Sequence, residues 1–195
     1  MRMSVDLVRT ILILLVAASF FYGLWLLIPA LYGLPWVPSS PRRIRKALEM
    51  AALKPGETLY DLGAGDGRVL VAAVRQFGAR AVGIEVSPLH FLAAWLKILS
   101  SGCGGKARLV WNNMYNCELP GADVVFAHTT AAQAPRLKAY LAAHLRPGAR
   151  VVTVLYDLDG WQPSALDDHE MVFLYVMPPQ RGGVWTYKMG NSLKA

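Results

Sequence analysis

Residues 58–77 constrain the fold of this 195-residue chain more than any other stretch. The segment Thr58–Leu62 is β-branched and apolar and follows a Pro-Gly turn, which predicts a short buried strand. Three alternating glycines come next, and apolar residues at helical spacing follow them, which predicts a helix. The glycines are Gly63, Gly65 and Gly67, and the apolar residues are Leu70, Val71, Val74 and Phe77. Strand, glycine turn and helix together open a nucleotide-binding α/β unit, in which the ligand comes close to the backbone of the turn.

The acids around this turn indicate which ligand it holds. A dinucleotide fingerprint reads GxGxxG, whereas here the third glycine comes one residue early and Arg68 occupies the position of the last glycine. Asp61 and Asp66 flank the turn, and two carboxylates there would repel a pyrophosphate. They suit a ligand that carries an ammonium and a sulfonium, as S-adenosylmethionine (SAM) does. The alternative is a glycine turn with incidental acids, since short motifs also occur by chance.

A further acid, Glu85, ends the next apolar run, about 20 residues after the turn. A carboxylate at that place can accept hydrogen bonds from both hydroxyls of a ribose. The ordered set of strand, turn, helix, strand and acid therefore predicts SAM as the cofactor. The predicted cofactor-binding residues in this part of the chain are Tyr60, Asp61, Gly63, Ala64, Gly65, Asp66, Gly67 and Glu85.

Two levels of resemblance to known methyltransferases start from these residues. The block Tyr60–Arg68 resembles motif I of class I SAM-dependent methyltransferases. More narrowly, residues 36–177 resemble the small protein-lysine methyltransferases, a family that includes the archaeal protein-lysine methyltransferase and the ATP synthase c-subunit lysine methyltransferase. The landmarks of the narrower resemblance are Val37-Pro38-Ser39, Val82–Glu85, Leu145–Val152, Gly160–Pro163 and Leu174–Val176. The resemblance implies methyl transfer to a lysine side chain of a protein.

The resemblance also implies a fold, which is a Rossmann-like α/β sheet closed by a C-terminal antiparallel hairpin. Two segments with strand patterns, Met171–Met177 and Val184–Met189, are predicted to form this hairpin. A third strand ending at Trp111 brings Asn112 and Asn113 to the same edge of the sheet as motif I. In class I methyltransferases an Asp or Asn there meets the adenine, so both residues are candidates for cofactor binding. The alternative is an Asn-rich turn.

The acceptor is predicted to enter an aromatic slot at the carboxyl ends of the strands. A lysine amine has a reference pKa of about 10.4 and must lose its proton before it attacks, which a desolvated slot favours without a dedicated base. His128, at the end of the fourth strand, either takes that proton or is structural. The predicted catalytic residues are His128, Tyr115 and Trp161, and Trp36 and Tyr156 are further candidates to line the slot.

Three further features concern the choice of acceptor. Asp157 and Asp159 can attract a lysine cation, or they belong to a solvated acidic loop. The Asn/Asp-Pro-Pro-Tyr/Phe motif of DNA adenine and glutamine methyltransferases does not occur in the sequence. The segment Phe126–Gln133 departs from the family pattern in a region that shapes substrate choice.

An apolar run near the N-terminus predicts a membrane anchor. No residue from Thr10 to Tyr32 is charged, and a transmembrane helix needs about 20 such residues. The alternative is a cleaved signal peptide, but the run is long for one and a secreted methyltransferase would lack SAM. Two basic residues precede the run and a larger group follows it, namely Arg42, Arg43, Arg45, Lys46 and Lys54. This asymmetry predicts an anchor over residues 1–34 and a methyltransferase domain over residues 35–195 that faces the cytosol, or the matrix of a mitochondrion.

The net charge of +7 is compatible with a nucleic acid, an anionic membrane or an acidic protein as partner. Nucleic acid is not predicted, because no basic run alternates with aromatic residues, and the densest basic cluster follows the apolar run. The two cysteines predict neither a disulfide framework nor a metal site. The function predicted is a membrane-anchored SAM-dependent protein-lysine methyltransferase whose substrate lies in or near the membrane. A small-molecule or lipid methyltransferase and a non-catalytic SAM-binding membrane protein remain alternatives.

Overall fold

The computed structural model describes residues 2–31 and 38–184 of the chain. The chain divides into two compact units, Met1–Trp36 and Val37–Ala195. The described part of the first unit is a single helix, α1 (Arg2–Leu31). Its segment Val5–Leu24 has a mean hydropathy of 2.1 and is long and apolar enough to cross a membrane. Length and composition alone give this result, and a signal sequence satisfies the same criteria.

The second unit is built on a seven-stranded sheet with the strand order β3-β2-β1-β4-β5-β7-β6. Strands β1 to β5 run parallel, whereas β7 is antiparallel to both of its neighbours. The strands are β1 (Thr58–Leu62), β2 (Arg80–Glu85), β3 (Ala107–Trp111), β4 (Val124–His128), β5 (Arg150–Val154), β6 (Ala165–Asp167) and β7 (Val172–Val176). The order of the parallel strands reverses next to β1, and in open α/β sheets ligands bind at such a switch point.

Four helices in the described part of this unit cover the two faces of the sheet. They are α2 (Pro41–Met50), α3 (Arg68–Phe77), α4 (Pro88–Ser100) and α5 (Ala134–His144). The side chains of Ser40 and Ser87 accept the backbone N–H groups that open α2 and α4, and a proline follows each serine. Alternate residues of the strands point to opposite faces, so Leu59 packs in the core under α2 and α3, while Tyr60 packs in the core under α5.

The predicted closing hairpin is wrong in one of its two strands. The strand predicted over Met171–Met177 is present as β7, but its antiparallel partners are β5 and β6, and β6 precedes it in the chain. The segment after β7 instead returns to the loop before β6, where the Gln162 N–H donates to the Gln180 carbonyl at 2.9 Å. Val184 is not in a strand, and the rest of the predicted second strand lies outside the described residues.

The parallel strands bring four chain segments to one edge of the sheet. Leu62 at the end of β1 lies in register with Ile84 of β2 and Ala127 of β4. The next residues after β1, β2, β3 and β4 therefore share the carboxyl edge, where the motif I turn begins. The fold thus places the residues that the sequence singled out at the edge where a nucleotide ligand is expected.

Candidate active site

Three glycines with positive φ form the turn between β1 and α3. Gly63, Gly65 and Gly67 have φ values of 91°, 54° and 77°, a region that side chains disfavour. The N–H groups of Gly63 and Ala64 both donate to the Ile84 carbonyl, at 2.9 and 3.0 Å, which holds the turn against β2. A Cβ on Gly63 would meet no atom within 4 Å, so this part of the turn lies open to an incoming ligand.

Glu85 ties the turn to the end of β2. Its Oε2 accepts the N–H of Gly65 at 2.7 Å and its Oε1 accepts the N–H of Ser87 at 2.8 Å. The side chain is buried. Each carboxylate oxygen has a second lone pair, so the carboxylate keeps acceptor capacity for ribose hydroxyls while it holds the turn.

Asp61 is a buried carboxyl without a hydrogen-bond donor. Its side chain is 2 % exposed, and no described residue donates a hydrogen bond to it or forms an ion pair with it. Burial raises the pKa of Asp61 well above its ordinary value, and the nearby Glu85 and Asp66 carboxylates raise it further. A buried acid in this position is destabilising unless a cation or donors arrive to compensate it.

Asp66, the other acid of the turn, is paired by cations. Arg68 donates from Nε and Nη2 to its two carboxylate oxygens, each at 2.9 Å, and Lys97 of α4 forms an ion pair with it. Burial alone would raise the pKa of Asp66, but the hydrogen bonds from Arg68 and Lys97 outweigh burial and lower that pKa to about 2. Asp66 is therefore ionised, and Arg68 and Lys97 neutralise its charge within the protein. No described residue does this for Asp61.

These residues fit the charge pattern of SAM. The open turn at Gly63 admits a ligand, Glu85 offers acceptor oxygens, and Asp61 is a buried acid with no donor of its own among the described residues. An ammonium or sulfonium beside Asp61 would supply the missing positive charge. A pyrophosphate at the same place would bring further negative charge into a buried cluster of acids, at a large electrostatic cost.

The side chains of Tyr60, Asn112 and Asn113, which the sequence also predicted to bind the cofactor, form hydrogen bonds within the protein. The Tyr60 hydroxyl donates to the Pro120 carbonyl at 3.2 Å. Asn112 Oδ1 accepts the N–H of Asn113 at 2.8 Å, and Asn113 Oδ1 accepts the N–H of Tyr115 at 3.0 Å, which caps a short 3₁₀ helix. The Asn-rich turn is therefore present, and the Asn112 side chain also hydrogen-bonds the Cys117 thiol. The roles of all three residues toward the cofactor stay predictions.

His128 contacts Ser39, the last residue of the Val37-Pro38-Ser39 landmark. Its Nδ1 lies 3.0 Å from Oγ of Ser39, which is buried, and the neighbouring Ser40 is the residue that caps α2. The Ser39 carbonyl in turn accepts a hydrogen bond from Arg68 at 3.1 Å. Burial lowers the pKa of His128, and the cation of Arg43 lowers it further. The histidine is therefore neutral at neutral pH.

The other two predicted catalytic residues, Tyr115 and Trp161, pack against the core under α5. The Tyr115 ring packs edge-on against the Tyr140 ring, with centroids 5.7 Å apart, and the Arg136 guanidinium lies 4.0 Å above its centroid. The buried Tyr115 hydroxyl has no hydrogen-bond partner among the described residues. Trp161 packs edge-on against Tyr175 with ring centroids 5.9 Å apart. In the described part of the chain, neither residue hydrogen-bonds or stacks with the other or with His128.

A cavity of about 420 Å³ opens where the segments after β4 and β5 meet. It is lined by Ala131, Ala134, Pro135, Lys138, Tyr156, Asp157 and Asp159. Lys138 donates from Nζ to the Asp159 carbonyl at 2.6 Å, which joins α5 to the loop after β5. The cavity therefore combines small apolar residues, one aromatic ring, two carboxylates and the ammonium of Lys138 at the carboxyl edge of the sheet. Residues 2–31 and 38–184 contain no cluster of His, Cys, Asp or Glu that could hold a metal ion.

Comparison with known families decides the classification. A family model described as the ANTKMT methyltransferase domain matches residues 61–165, from Asp61 of motif I to the start of β6. The chain belongs to this family. The predicted resemblance is thereby confirmed, as are SAM dependence and the methyltransferase class of the enzyme.

Relatives of this ANTKMT-family chain include protein-lysine methyltransferases. A protein-lysine N-methyltransferase of Saccharolobus islandicus is 33% identical over 73% of this chain and 93% of its own. The mouse lysine N-methyltransferases of the ATP synthase c-subunit and of adenine nucleotide translocase are 27% and 31% identical, over 76% and 71% of this chain. In both mouse enzymes the match spans 60% of the length.

Solved structures agree with the fold and the cofactor. An RNA methyltransferase from Salinibacter ruber, bound to S-adenosyl-L-homocysteine, matches with a TM-score of 0.72 and 28% identity. The match covers 75% of this chain and 97% of that one. A SAM-dependent methyltransferase from Thiobacillus denitrificans shares the fold at a TM-score of 0.54 and 22% identity, over 60% of this chain and 49% of its own.

Proposed function

We propose that this ANTKMT-family protein is a membrane-anchored enzyme that transfers methyl groups from SAM to a lysine side chain of a protein. The observation that carries the choice of lysine is the match to a protein-lysine N-methyltransferase at 33% identity over 93% of that enzyme. The substrate is a protein that lies in the membrane or close to it. The names of the mouse relatives, which act on the ATP synthase c-subunit and on adenine nucleotide translocase, support a protein acceptor.

On the cofactor side, the turn and the acids that flank it hold SAM, which supplies the methyl group when bound. Glu85 receives the ribose hydroxyls, and Asp61 compensates the positive charge of the ligand. Asp66 acts indirectly, because its ion pairs with Arg68 and Lys97 hold the turn against α4. The backbone of Gly63, Ala64, Gly65 and Gly67 borders the ligand.

On the acceptor side, the cavity beside the loop after β5 receives the lysine. Asp157 and Asp159 attract the cation, and Tyr156 shields its alkyl chain from water. The amine must be neutral when it attacks, and moving it from these acids into an apolar slot lowers its pKa. His128 is suited to accept the proton that the amine releases, because burial and Arg43 keep its ring neutral.

Tyr115 and Trp161 complete the slot in this proposal. The buried Tyr115 hydroxyl, which has no partner among the described residues, can orient the amine, and Trp161 forms an apolar wall. Both contact the core under α5, so neither can move far when the acceptor enters. Trp36, the other aromatic candidate, lies outside the described residues.

The membrane placement is proposed from α1 and the charges that flank it. The segment Val5–Leu24 spans the bilayer, and its aromatic residues Phe20, Phe21 and Tyr22 lie toward one end, as in an interfacial belt. More basic residues follow the helix than precede it, so the methyltransferase domain faces the cytosol or the matrix. SAM is available in both compartments. Residues 1–34 form the anchor and residues 35–195 the enzyme domain in this proposal.

A labelling experiment tests the acceptor class. The purified full-length chain in detergent is incubated with methyl-labelled SAM and a membrane extract, and the label is separated into protein, lipid, RNA and small molecules. We expect label in protein, and after complete hydrolysis we expect it in methyl-lysine. Label only in lipid or small molecules would favour the first alternative, and label only in RNA would favour the activity named for the Salinibacter structure. SAM binding by calorimetry without turnover on any fraction would favour a non-catalytic protein.

A further inference from the structure

Helix α4 has apolar side chains on both of its faces, although only one face is buried in the fold. His90, Ala94 and Ile98 form the buried face. On the opposite side the chain exposes large apolar side chains at helical spacing: Leu92, Trp95, Leu96 and Leu99, each between 47% and 53% exposed. A helix at the surface of a soluble domain normally carries polar residues on its outer face. The outer face of α4 therefore needs a partner that is itself apolar.

The edge strand next to α4 extends this apolar surface. Trp111, the last residue of β3, is 65% exposed, and its ring lies 6.3 Å from that of Phe91 in α4. Its indole N–H donates to the Val86 carbonyl at 3.0 Å, so the only polar group of the side chain is already bonded and the exposed remainder is apolar. We call Phe91, Leu92, Trp95, Leu96, Leu99 and Trp111 the α4 patch.

The segment that carries the α4 patch contains basic residues and no acids. The chain contains no Asp or Glu between Glu85 and Glu118, a stretch that includes α4, β3 and the loop between them. Of its basic residues, Lys97 is paired with Asp66 and Lys106 is exposed. Arg108 lies in register with Val82 and therefore points to the other face of the sheet, under α5. An apolar, tryptophan-bearing helix in a segment with basic residues and no acids is typical of helices that lie in the interface of an anionic bilayer.

We propose that the α4 patch rests in the headgroup region of an anionic membrane, so that the methyltransferase domain itself contacts the bilayer. A second copy of the chain is the alternative occupant, which the experiment below distinguishes from a membrane. A membrane anchor on the same chain would keep the domain at high effective concentration near the lipid, so a patch of modest size suffices. The contact does not depend on lysine being the acceptor.

Spin labels on single cysteines test this contact in the full-length chain, reconstituted in vesicles of phosphatidylcholine and phosphatidylglycerol. Cys117→Ser removes the partly exposed native thiol, and the native Cys103 is buried. Labels are placed at Leu96→Cys in the patch and at Met171→Cys, a control apolar residue that is 40% exposed at the start of β7. Collision of each label with oxygen, which concentrates in lipid, is compared with collision with a water-soluble nickel chelate.

For each label, the measured quantity is the ratio of its collision rate with oxygen to its collision rate with the nickel chelate. We expect this ratio to be several-fold higher at position 96 than at position 171. Replacing phosphatidylglycerol by phosphatidylcholine should reduce that ratio. A water-like ratio at position 96 would overturn the proposal, and so would protection from both reagents, which would show that protein covers the patch. A third label at Leu14→Cys reports separately on α1, so failure of the proposed anchor and failure of the α4 contact give different patterns.

A variant of the patch checks that its apolar side chains cause the contact. Leu92→Gln, Leu96→Gln and Leu99→Gln together replace exposed side chains, so the fold and the calorimetric affinity for SAM should be unchanged. A label at Trp95→Cys in this variant should show the water-like ratio, whereas the same label without the glutamines should show the lipid-like ratio. Equal ratios in the two backgrounds would contradict a role for the patch.

Discussion

At the scale of residues, three acids of the same site have three different surroundings. Glu85 accepts two backbone N–H groups, Asp66 is paired with Arg68 and Lys97, and Asp61 has neither donor nor cation among the described residues. The pKa values follow these surroundings, since that of Asp66 is lowered and that of Asp61 is raised. The site therefore has one acid with no donor or cation to stabilise its charged form, and this is where we expect the positive charge of SAM to be bound.

Asp61→Asn should weaken the binding of SAM and stabilise the fold. The pKa of Asp61 is higher in the folded than in the unfolded state, so its carboxyl lowers stability at any pH above the unfolded pKa. This loss of stability grows as the pH rises and levels off above the folded pKa. A neutral amide removes that cost, and each kcal/mol gained should raise Tm by about 2–4 °C. Loss of a charged interaction with the ligand should reduce SAM affinity by about 10- to 100-fold. Calorimetry and thermal unfolding at neutral pH measure the two effects.

Asp159→Asn is the matched control for this pair of measurements, because Asp159 is exposed. It should leave both Tm and SAM affinity close to those of the unmodified chain. A lower Tm for Asp61→Asn, or unchanged SAM affinity, would contradict the role given to Asp61.

Arg43→Gln should raise the pKa of His128 without restoring it to its ordinary value. Burial is the larger cause of the lowered pKa and the Arg43 cation the smaller, so burial remains after the substitution. In the unmodified chain, the pKa of His128 is lower in the folded than in the unfolded state. The free energy of unfolding therefore decreases as the pH falls below the unfolded pKa, because the unfolded state takes up the proton more readily. NMR titration of the ring measures the shift, and Arg42→Gln, at an exposed neighbour, is the control. A larger shift in Arg42→Gln than in Arg43→Gln would refute the assignment.

At the scale of elements, the start of α3 and the middle of α4 meet at a single glycine. A Cβ on Gly67 would lie 3.0 Å from Cβ of Ala94 and 3.1 Å from its Cα, so helix backbone would have to shift. This close approach also lets Lys97, one turn further along α4, reach Asp66 in the turn. The third glycine of the motif thus sets the distance between two helices as well as the path of the chain.

Gly67→Ala should therefore destabilise the domain by about 2–4 kcal/mol, from positive φ and overpacking together. Gly148→Ala is the control, because Gly148 has φ of 83° but a Cβ added there would meet no atom within 4 Å, so only strain of about 1–2 kcal/mol remains. Chemical denaturation of both variants gives the difference. Equal losses in the two would show that the contact with Ala94 is not tight.

The sequence predicted those elements whose signals are local. The apolar runs that end at Leu62 and Glu85 correspond to β1 and β2, and the apolar residues at helical spacing after Gly67 correspond to α3. Strand β6 was missed because it has only three residues, too few for an alternating pattern. The contact between Ser39 and His128 joins residues 89 positions apart, so no local spacing encodes it. The same holds for Lys97 and Asp66, which meet only because α4 packs beside the turn.

At the scale of the whole molecule, an apolar helix precedes a basic enzyme domain of the ANTKMT family. The charges on the two sides of α1 give the proposed orientation. If the bilayer separates the N-terminus from the enzyme domain, a membrane-impermeant thiol reagent should reach only one of them from outside a bacterial host.

Single cysteines measure this topology. Ser4→Cys should react with the reagent in intact cells, whereas Ser164→Cys, exposed just before β6, should react only after the cells are opened. Reaction at position 164 in intact cells would reverse the orientation. Reaction at neither position until the cells are opened would mean that α1 does not cross the membrane.

Mass spectrometry of membrane proteins is the most direct test of the central claim, that this chain methylates lysine in a protein at the membrane. Proteins from cells that carry the gene are compared with proteins from cells that lack it and from cells that carry only Asp61→Asn. We predict at least one membrane-protein lysine that is methylated with the intact gene and unmethylated in both other strains. Identical lysine methylation in all three strains, with a methylated lipid, RNA or small molecule that depends on the gene, would contradict the claim.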